Sequence, residues 1–249
     1  MDGVNYVPKP LLGGYISRVI CFSRMECKFW DSLIESRSSF MYLGSPLSGT
    51  ISPRYPSHDT QVEKYIFSGG RTARDFPTLF QASFQLPVRV VVVGTRTSSD
   101  SLSGSTDADG RNFVLLPEVG YERFMELLTD SVLVVIPLRK VAYPSGQSML
   151  VDALALGKPV IVTRCSGSID YINDGENGFL VEPGNFLELR DKINYLLSRT
   201  EEMGRIGSNA RTFAVRSLSL QQMASSFSEI LATTERGKAQ QGHLSPTVC

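Results

Sequence analysis

Short apolar stretches typical of buried strands alternate with helix-like stretches from about residue 64 to the segment "FLELRDKINYLL". "RVVVVG" and "VLVVIPL" are nearly continuous apolar runs, as expected for strands that are covered on both faces of a parallel sheet. The helix-like stretches between strands indicate right-handed βαβ crossovers. The alternation therefore predicts an α/β fold: a Rossmann-like parallel sheet with helices on both faces.

The predicted elements follow a regular order along the chain. Strands are predicted at "KYIFS", "RVVVVG", "NFVLLP", "VLVVIPL", "PVIVT" and "GFLVEP". Helices are predicted at "RDFPTLFQASFQL", "YERFMELLTDS", "QSMLVDALAL" and "FLELRDKINYLL", with a short one near "SIDYIN". Pro77 suits the first turn of its helix, because that turn has no backbone donor to lose.

The remaining stretches lie outside this series. "RVICFS", "RMECKFWDSLI" and "SSFMYLGS" predict one strand–helix–strand layer, which is too small to form a core by itself. It is either the end of another domain or an added edge on this one. The Ser/Asp/Gly-rich segment 96–112 reads as a mobile loop. We therefore divide the chain into residues 1–60, a main domain at 61–235, and a disordered tail at 236–249.

Composition narrows the function classes. Lys+Arg and Asp+Glu both number 25, so no excess charge favours nucleic acid or an anionic membrane as a partner. No apolar run reaches the roughly 20 residues of a transmembrane helix, and no signal peptide opens the chain. The four cysteines lack metal-ligand spacing, which predicts free thiols in a reducing compartment. We expect a cytoplasmic protein with no transmembrane segment and no nucleic acid partner.

Polar and small residues follow two of the predicted strands. In a doubly wound sheet, ligands bind beyond the carboxyl ends of the strands. Guanidinium groups grip phosphate oxygens, and the amides of a helix start favour an anion. An acid on the second turn of that helix suits a ribose diol. Together these features predict a nucleoside diphosphate site at Gly70, Arg71, Arg74, Ser145, Gly146, Gln147, Ser148 and Asp152.

The spacing of these residues does not by itself exclude simpler structural roles for them. A Ser-Gly loop before a helix is usually only a turn, and an arginine after a strand is usually a solvated charge. Asp152 lies in the otherwise apolar "LVDALAL", where a buried acid needs a partner. That partner is either a ligand or another group of the core.

Four segments carry a resemblance to a known family. "SGGR", "SMLVDALALGKPVIVT", "SIDYINDGENGFLVEPGN" and "GRIGSNAR", in this order and at these distances, resemble the C-terminal domain of GT-B glycosyltransferases of the GT4 type. The resemblance covers roughly residues 62 to 235. It implies two Rossmann-like domains, of which the second binds a nucleotide-sugar donor, and retaining glycosyl transfer that requires no metal and no further cofactor.

The resemblance also assigns roles within the predicted site. It implies that Arg71 and Arg74 hold the diphosphate, that residues 146–148 supply backbone amides, and that Asp152 holds the ribose hydroxyls. The family's first Glu, which contacts the donor sugar, is replaced here by Pro144, eight residues before Asp152.

The N-terminal part resembles only the last strand and helix of the family's first domain, plus the linker. His58 lies in a linker-like stretch and His243 in the tail, so no catalytic residue is assigned. We expect a truncated glycosyltransferase that binds a nucleotide-diphosphate sugar but transfers little by itself. A separate N-terminal domain, or self-association, is expected to cover the apolar face that would meet a first domain.

Two other function classes are alternatives to a glycosyltransferase. One is a non-catalytic module that binds a nucleotide or a partner protein. The other, a dinucleotide oxidoreductase, is disfavoured because no G-x-G-x-x-G follows the first core strand. The "DAD" triplet at 107–109 is interpreted as solvated loop acids rather than a metal motif.

Overall fold

The apolar runs that the sequence marks as strands form one six-stranded parallel sheet in the computed structural model of the chain. The structure describes residues 16–34, 37–49, 64–94 and 113–242, with side chains as far as residue 235. The strands are β1 (Val19–Cys21), β2 (Ser38–Phe40), β3 (Tyr65–Gly69), β4 (Arg89–Val93), β5 (Phe113–Leu116), β6 (Leu133–Ile136), β7 (Val160–Thr163) and β8 (Phe179–Val181). The helices are α1 (Arg24–Ile34), α2 (Phe76–Ser83), α3 (Tyr121–Asp130), α4 (Gln147–Ala155), α5 (Phe186–Leu197), α6 (Thr200–Ser217) and α7 (Leu220–Gly242).

The order of the strands along the chain reverses in the middle of the sheet. That order is β5-β4-β3-β6-β7-β8, and all neighbouring strands are parallel. Within this sheet the chain runs from β3 outward through β4 to β5. It then crosses to the other side of β3 and runs outward again from β6 through β7 to β8. Open α/β sheets bind their ligands in a crevice at the carboxyl edge beside such a reversal point, so the ligand crevice is expected where the loops that follow β3 and β6 meet.

Two apolar cores cover the two faces of this sheet. On one face Phe67 and Ile136 pack against α3, α4 and α6. On the other face Ile66 and Val135 pack against α2 and α5. Because successive side chains of a strand point to opposite faces, each valine-rich strand contributes to both cores. The predicted α/β class and Rossmann-like sheet are confirmed.

The predicted short helix near "SIDYIN" is wrong. Residues 166–171 form hydrogen-bonded turns instead of a regular helix. The Ser168 hydroxyl donates to the carbonyl of Thr163 and accepts from the amide of Cys165. A serine side chain that binds the neighbouring backbone in this way competes with helical hydrogen bonds.

The C-terminal end of the chain differs from the sequence prediction. Helix α7 continues to Gly242, so residues 236–242 are helical where the sequence predicts a disordered tail. The 96–112 loop, the "DAD" triplet, His58 and His243 lie outside the described residues. Within the described ranges, no helix is both long enough and apolar enough to cross a membrane.

The N-terminal layer is a parallel β1–α1–β2 unit that forms a separate two-stranded sheet. Helix α1 leaves Met25 and Phe29 about half exposed, at 52% and 53%. These side chains lie one turn apart, so they share one side of the helix. The expected cover for this apolar surface, by a first domain or a second copy of the chain, stays a prediction.

Candidate functional site

The loops that follow β3 and β6 are hydrogen-bonded to each other at the central crevice. The amide of Asp75 donates to the carbonyl of Pro137 at 3.0 Å, and the amide of Arg139 donates to the carbonyl of Ala73 at 2.9 Å. Arg74 lies between these two bonds and bridges to Leu138. The backbone therefore fixes Arg74 at the point where the strand order reverses.

The Arg74 side chain folds back into this crevice. Its Nε donates to the carbonyl of Gly69 at 2.6 Å, and its Nη1 donates to the carbonyl of Thr72 at 3.2 Å. Gly70 has a φ of +111°, and a Cβ at this position would lie 2.8 Å from Cζ of Arg74. Only glycine provides both the backbone conformation and the space that this side chain needs.

Arg74 is a buried cation without a carboxylate partner among the described residues. It is 8% exposed, and its hydrogen bonds go to backbone carbonyls. Burial lowers the pKa of Arg74 to about 10, so the group still carries its charge at neutral pH. A buried charge that lacks a counter-ion is costly. An anion entering the crevice would offset part of that cost.

The start of α4 faces the same guanidinium. Gly146 caps the helix with a φ of +81°, and among the described residues no side-chain hydrogen bond caps this helix start. A Cβ at Gly146 would lie 3.3 Å from Nη1 of Arg74, which shows how closely the guanidinium approaches the cap. The Ser145 hydroxyl donates to the carbonyl of Thr72 at 3.0 Å. A cation and the positive end of a helix thus lie side by side.

Arg71 is not part of this group. Its side chain is 70% exposed and forms an ion pair with Glu118, in the loop that follows β5. Among the described residues, no hydrogen bond or ion pair joins Arg71 to the loop before α4. Its predicted contact with a diphosphate stays a prediction.

The N-terminal layer reaches the start of α4 through the carbonyl of Phe22. Nε2 of Gln147 donates to this carbonyl at 2.6 Å, and the hydroxyl of Tyr171 donates to it at 3.0 Å. Asp170 accepts from the amide of Arg24 at 2.8 Å. The residues that follow β1 are therefore held against the carboxyl edge of the main sheet by side chains of the main domain.

Asp152 also contacts the N-terminal layer. Its Oδ1 accepts from the hydroxyl of Ser45 at 2.7 Å. Burial raises the pKa of Asp152, and the hydrogen bond from Ser45 opposes that effect. The acid therefore has a neutral protein partner in addition to any ligand.

The predicted residues thus fall into three sets. Gly70, Arg74, Ser145 and Gly146 are brought together at the crevice. Gln147 and Asp152 contact the N-terminal layer. The side chains of Arg71 and Ser148 are exposed.

Sequence reasoning missed two groups, the carbonyl of Thr72 and the hydroxyl of Ser45. The Thr72 carbonyl is a backbone atom, and Ser45 is 107 positions away from Asp152. No local pattern signals either of them. Three metal-binding side chains do not cluster anywhere in the part of the chain that the structure describes.

Comparison with known proteins identifies the family. The family model described as glycosyl transferases group 1 matches residues 75–213, more than half of the chain. The chain belongs to this family. It is 26% identical over 128 residues to the capsular polysaccharide biosynthesis glycosyltransferase CapM of Staphylococcus aureus, covering 50% of the chain and 32% of CapM. It is 31% identical over 101 residues to the uncharacterized glycosyltransferase MJ1178 of Methanocaldococcus jannaschii, covering 40% of the chain and 28% of MJ1178.

The group 1 chain therefore spans about a third or less of the length of these curated relatives, at 32% and 28%. Its fold is similar to the solved structure of Anabaena Alr3699/HepE in complex with UDP-glucose. The TM-score is 0.77 at 21% identity, over 90% of this chain and 66% of that protein. This likeness confirms the C-terminal GT-B fold that the sequence motifs predict.

Proposed function

We propose that this chain binds a nucleoside diphosphate sugar as a glycosyl donor, with the diphosphate held between Arg74 and the first turn of α4. The observation that carries the proposal is the buried guanidinium of Arg74, which has no carboxylate partner among the described residues. It lies against a helix start that no side chain of the described segments caps. Each hydrogen bond between a charged group and the diphosphate would contribute about 1.5–3 kcal/mol.

The family relationship supports a nucleotide sugar as the ligand. Glycosyl transferases group 1 is the matched family, and the similar Anabaena protein was solved with UDP-glucose. We therefore take UDP as the first nucleotide to test. In this proposal Asp152 binds the ribose hydroxyls, and the amides of residues 146–148 contact the phosphates together with Arg74.

The reaction that we propose is retaining transfer of the sugar to an acceptor, of the GT4 type and without a required metal. Transfer depends on holding the acceptor in line with the anomeric carbon, and such positioning supplies about 7–11 kcal/mol of the barrier. The anomeric configuration of the first-formed product, measured by NMR, tests the stereochemistry. A cytoplasmic location stays a prediction from the sequence.

A second candidate function is a donor-binding module that performs no transfer. Pro144 favours it, because the acid that the resemblance places at this position to contact the donor sugar is missing. Incubating the purified chain with sugar nucleotides and simple acceptors separates the two candidates. Sustained transfer by the chain excludes the second, whereas donor binding without transfer supports it.

Titration calorimetry with UDP tests the binding proposal. Wild-type chain is compared with Arg74→Met, Arg71→Met and, as a matched control, Arg123→Met. Arg123 is an exposed arginine of α3 that pairs with Glu126. We expect Arg74→Met to weaken UDP binding by at least tenfold and Arg123→Met to leave it unchanged.

Two results would contradict the proposal. One is a wild-type chain that binds neither UDP nor another nucleoside diphosphate. The other is an Arg74→Met variant that folds and binds UDP as tightly as the wild type. Arg71→Met decides the separate prediction for Arg71, because its exposed side chain would have to leave Glu118 to reach a ligand.

A further inference from the structure

Ser45 is fixed firmly in the structure although it lies outside the main domain. It follows β2, it is fully buried, and its amide donates to the carbonyl of Leu218 at 2.7 Å. It also forms a parallel bridge with Ser219, between α6 and α7. The position of its side chain is therefore set by the main domain.

The direction of the hydrogen bond between Ser45 and Asp152 is determined. A serine hydroxyl has one proton to donate, and an ionised carboxylate only accepts. The Ser45 Oγ accepts from the amide of Leu47 at 3.2 Å and lies 2.7 Å from Oδ1 of Asp152. Its proton therefore points to Asp152, and the pair forms a charge-assisted bond.

The second carboxylate oxygen of Asp152 keeps its capacity to accept hydrogen bonds. Among the described residues, Asp152 has no cation partner, and its Oδ2 has no hydrogen-bond donor. A carboxylate has about four acceptor positions. The bond from Ser45 uses one of them, so contact with Ser45 and with a diol is compatible.

We propose that Ser45 is a positioning residue, whose hydrogen bond holds the Asp152 carboxylate so that its other oxygen faces the ribose hydroxyls of the bound nucleotide. The inference rests on the proposed function for the ribose contact itself. It adds that the N-terminal layer, through a residue 107 positions away from Asp152, is a working part of the donor site. In this proposal the N-terminal layer contributes directly to the geometry of the donor site.

A pair of ligands separates positioning from a general structural role. UDP carries both ribose hydroxyls, whereas 2′,3′-dideoxyuridine diphosphate carries neither and keeps the same base and phosphates. We expect Ser45→Ala to weaken UDP binding about 3- to 10-fold, the effect of one hydrogen bond, and to leave the dideoxy nucleotide unaffected. Calorimetric titration below the melting temperature measures both affinities.

Ser48→Ala is the matched control. Ser48 is a buried serine of the same segment, and its hydroxyl donates to the carbonyl of Ala214 at 3.1 Å without contacting Asp152. If Ser45 acts only by holding the segment in place, Ser48→Ala has the same effect on UDP. We expect Ser48→Ala to lower the melting temperature but to leave the ratio of the UDP and dideoxy affinities at the wild-type value.

The double variant Ser45→Ala/Asp152→Asn completes the design. If Ser45 acts through Asp152, adding Ser45→Ala to Asp152→Asn has no further effect on UDP binding. The role of Ser45 is overturned if Ser45→Ala weakens both nucleotides equally, has no effect, or strengthens UDP binding. A wild-type chain that binds neither nucleotide would overturn the proposed function as well, which distinguishes the two failures.

Discussion

Arg74 and Ser145 donate hydrogen bonds to the same acceptor, the carbonyl oxygen of Thr72, at 3.2 and 3.0 Å. One donor belongs to the loop after β3 and the other to the loop before α4. These two loops lie on opposite sides of the point where the strand order reverses. The shared carbonyl therefore joins the two halves of the candidate phosphate site into one unit.

Gly70→Ala should damage this unit. Alanine at a φ of +111° is strained by about 1–3 kcal/mol, and its Cβ would press on the Arg74 guanidinium, 2.8 Å from Cζ. We expect a lower free energy of unfolding together with UDP binding weakened by at least tenfold, because Arg74 must move. Urea unfolding and calorimetry measure the two effects.

Gly184→Ala is the control for Gly70→Ala. Gly184 has a φ of +74°, and an added Cβ would meet no atom within 4 Å. The variant should lose stability through backbone strain alone and bind UDP normally. Equal loss of UDP affinity in both variants would argue against a role for the position of Arg74.

Asp152→Asn should separate ligand binding from stability. Burial raises the pKa of Asp152 in the folded state. Ionisation of this group therefore lowers the free energy of unfolding at pH values above the ordinary carboxyl pKa. The neutral amide removes that cost and can still accept from Ser45. We expect unchanged or higher stability at pH 7 and UDP affinity reduced several-fold. A lower melting temperature with unchanged affinity would instead assign Asp152 to the core.

Tyr171→Phe should loosen the N-terminal layer. The Tyr171 hydroxyl donates to the carbonyl of Phe22 and accepts from the amide of Leu43, at 3.0 and 3.1 Å. The variant loses these two bonds and a longer one from Nε2 of Gln147 at 3.5 Å, and it leaves the amide of Leu43 unpaired, which should cost about 1–3 kcal/mol of unfolding free energy. Tyr195→Phe serves as the comparison and should cost much less, because among the described residues this hydroxyl makes a single long contact, of 3.5 Å to Glu202.

Lys158 should give the chain a rise in stability in alkaline solution. Burial lowers the pKa of Lys158 from 10.5 to about 8, while its Nζ donates to the carbonyl of Ser131. Between these values the unfolded chain binds more protons than the folded chain, so stability increases with pH. The slope reaches at most about 1.4 kcal/mol per pH unit.

Urea unfolding of wild type and Lys158→Met from pH 7 to 10 measures this slope. The difference in unfolding free energy between wild type and Lys158→Met should be constant below about pH 8. Above that pH the wild type should gain stability relative to the variant. The exposed Lys140 provides the control, and Lys140→Met should follow the wild-type curve. If the unfolding free energies of wild type and Lys158→Met change in parallel over this pH range, the lowered pKa of Lys158 is contradicted.

The sequence by itself determined the parallel sheet and the order of its elements. Buried parallel strands require unbroken apolar runs, and "RVVVVG" and "VLVVIPL" leave few other solutions. The ends of these strands could also be located, so Arg74 and the Ser145–Gly146 loop were predicted at the carboxyl edge. The turns near Ser168 could not be predicted, because the sequence does not show that the Ser168 hydroxyl binds the nearby backbone of Thr163 and Cys165.

Only the tertiary structure decided how the side chains at that edge are used. Arg71 and Arg74 both follow β3, and the sequence gives no reason to treat them differently. In the structure Arg71 pairs with Glu118 at the surface, whereas Arg74 is buried beside Gly146. Asp152 could be recognised as an acid in an apolar helix, but its partner is Ser45, 107 positions away. Local pattern fixes which groups reach an edge of a sheet. The partner of each group depends on which distant segments pack there, because hydrogen bonds and ion pairs require contact in space rather than proximity along the chain.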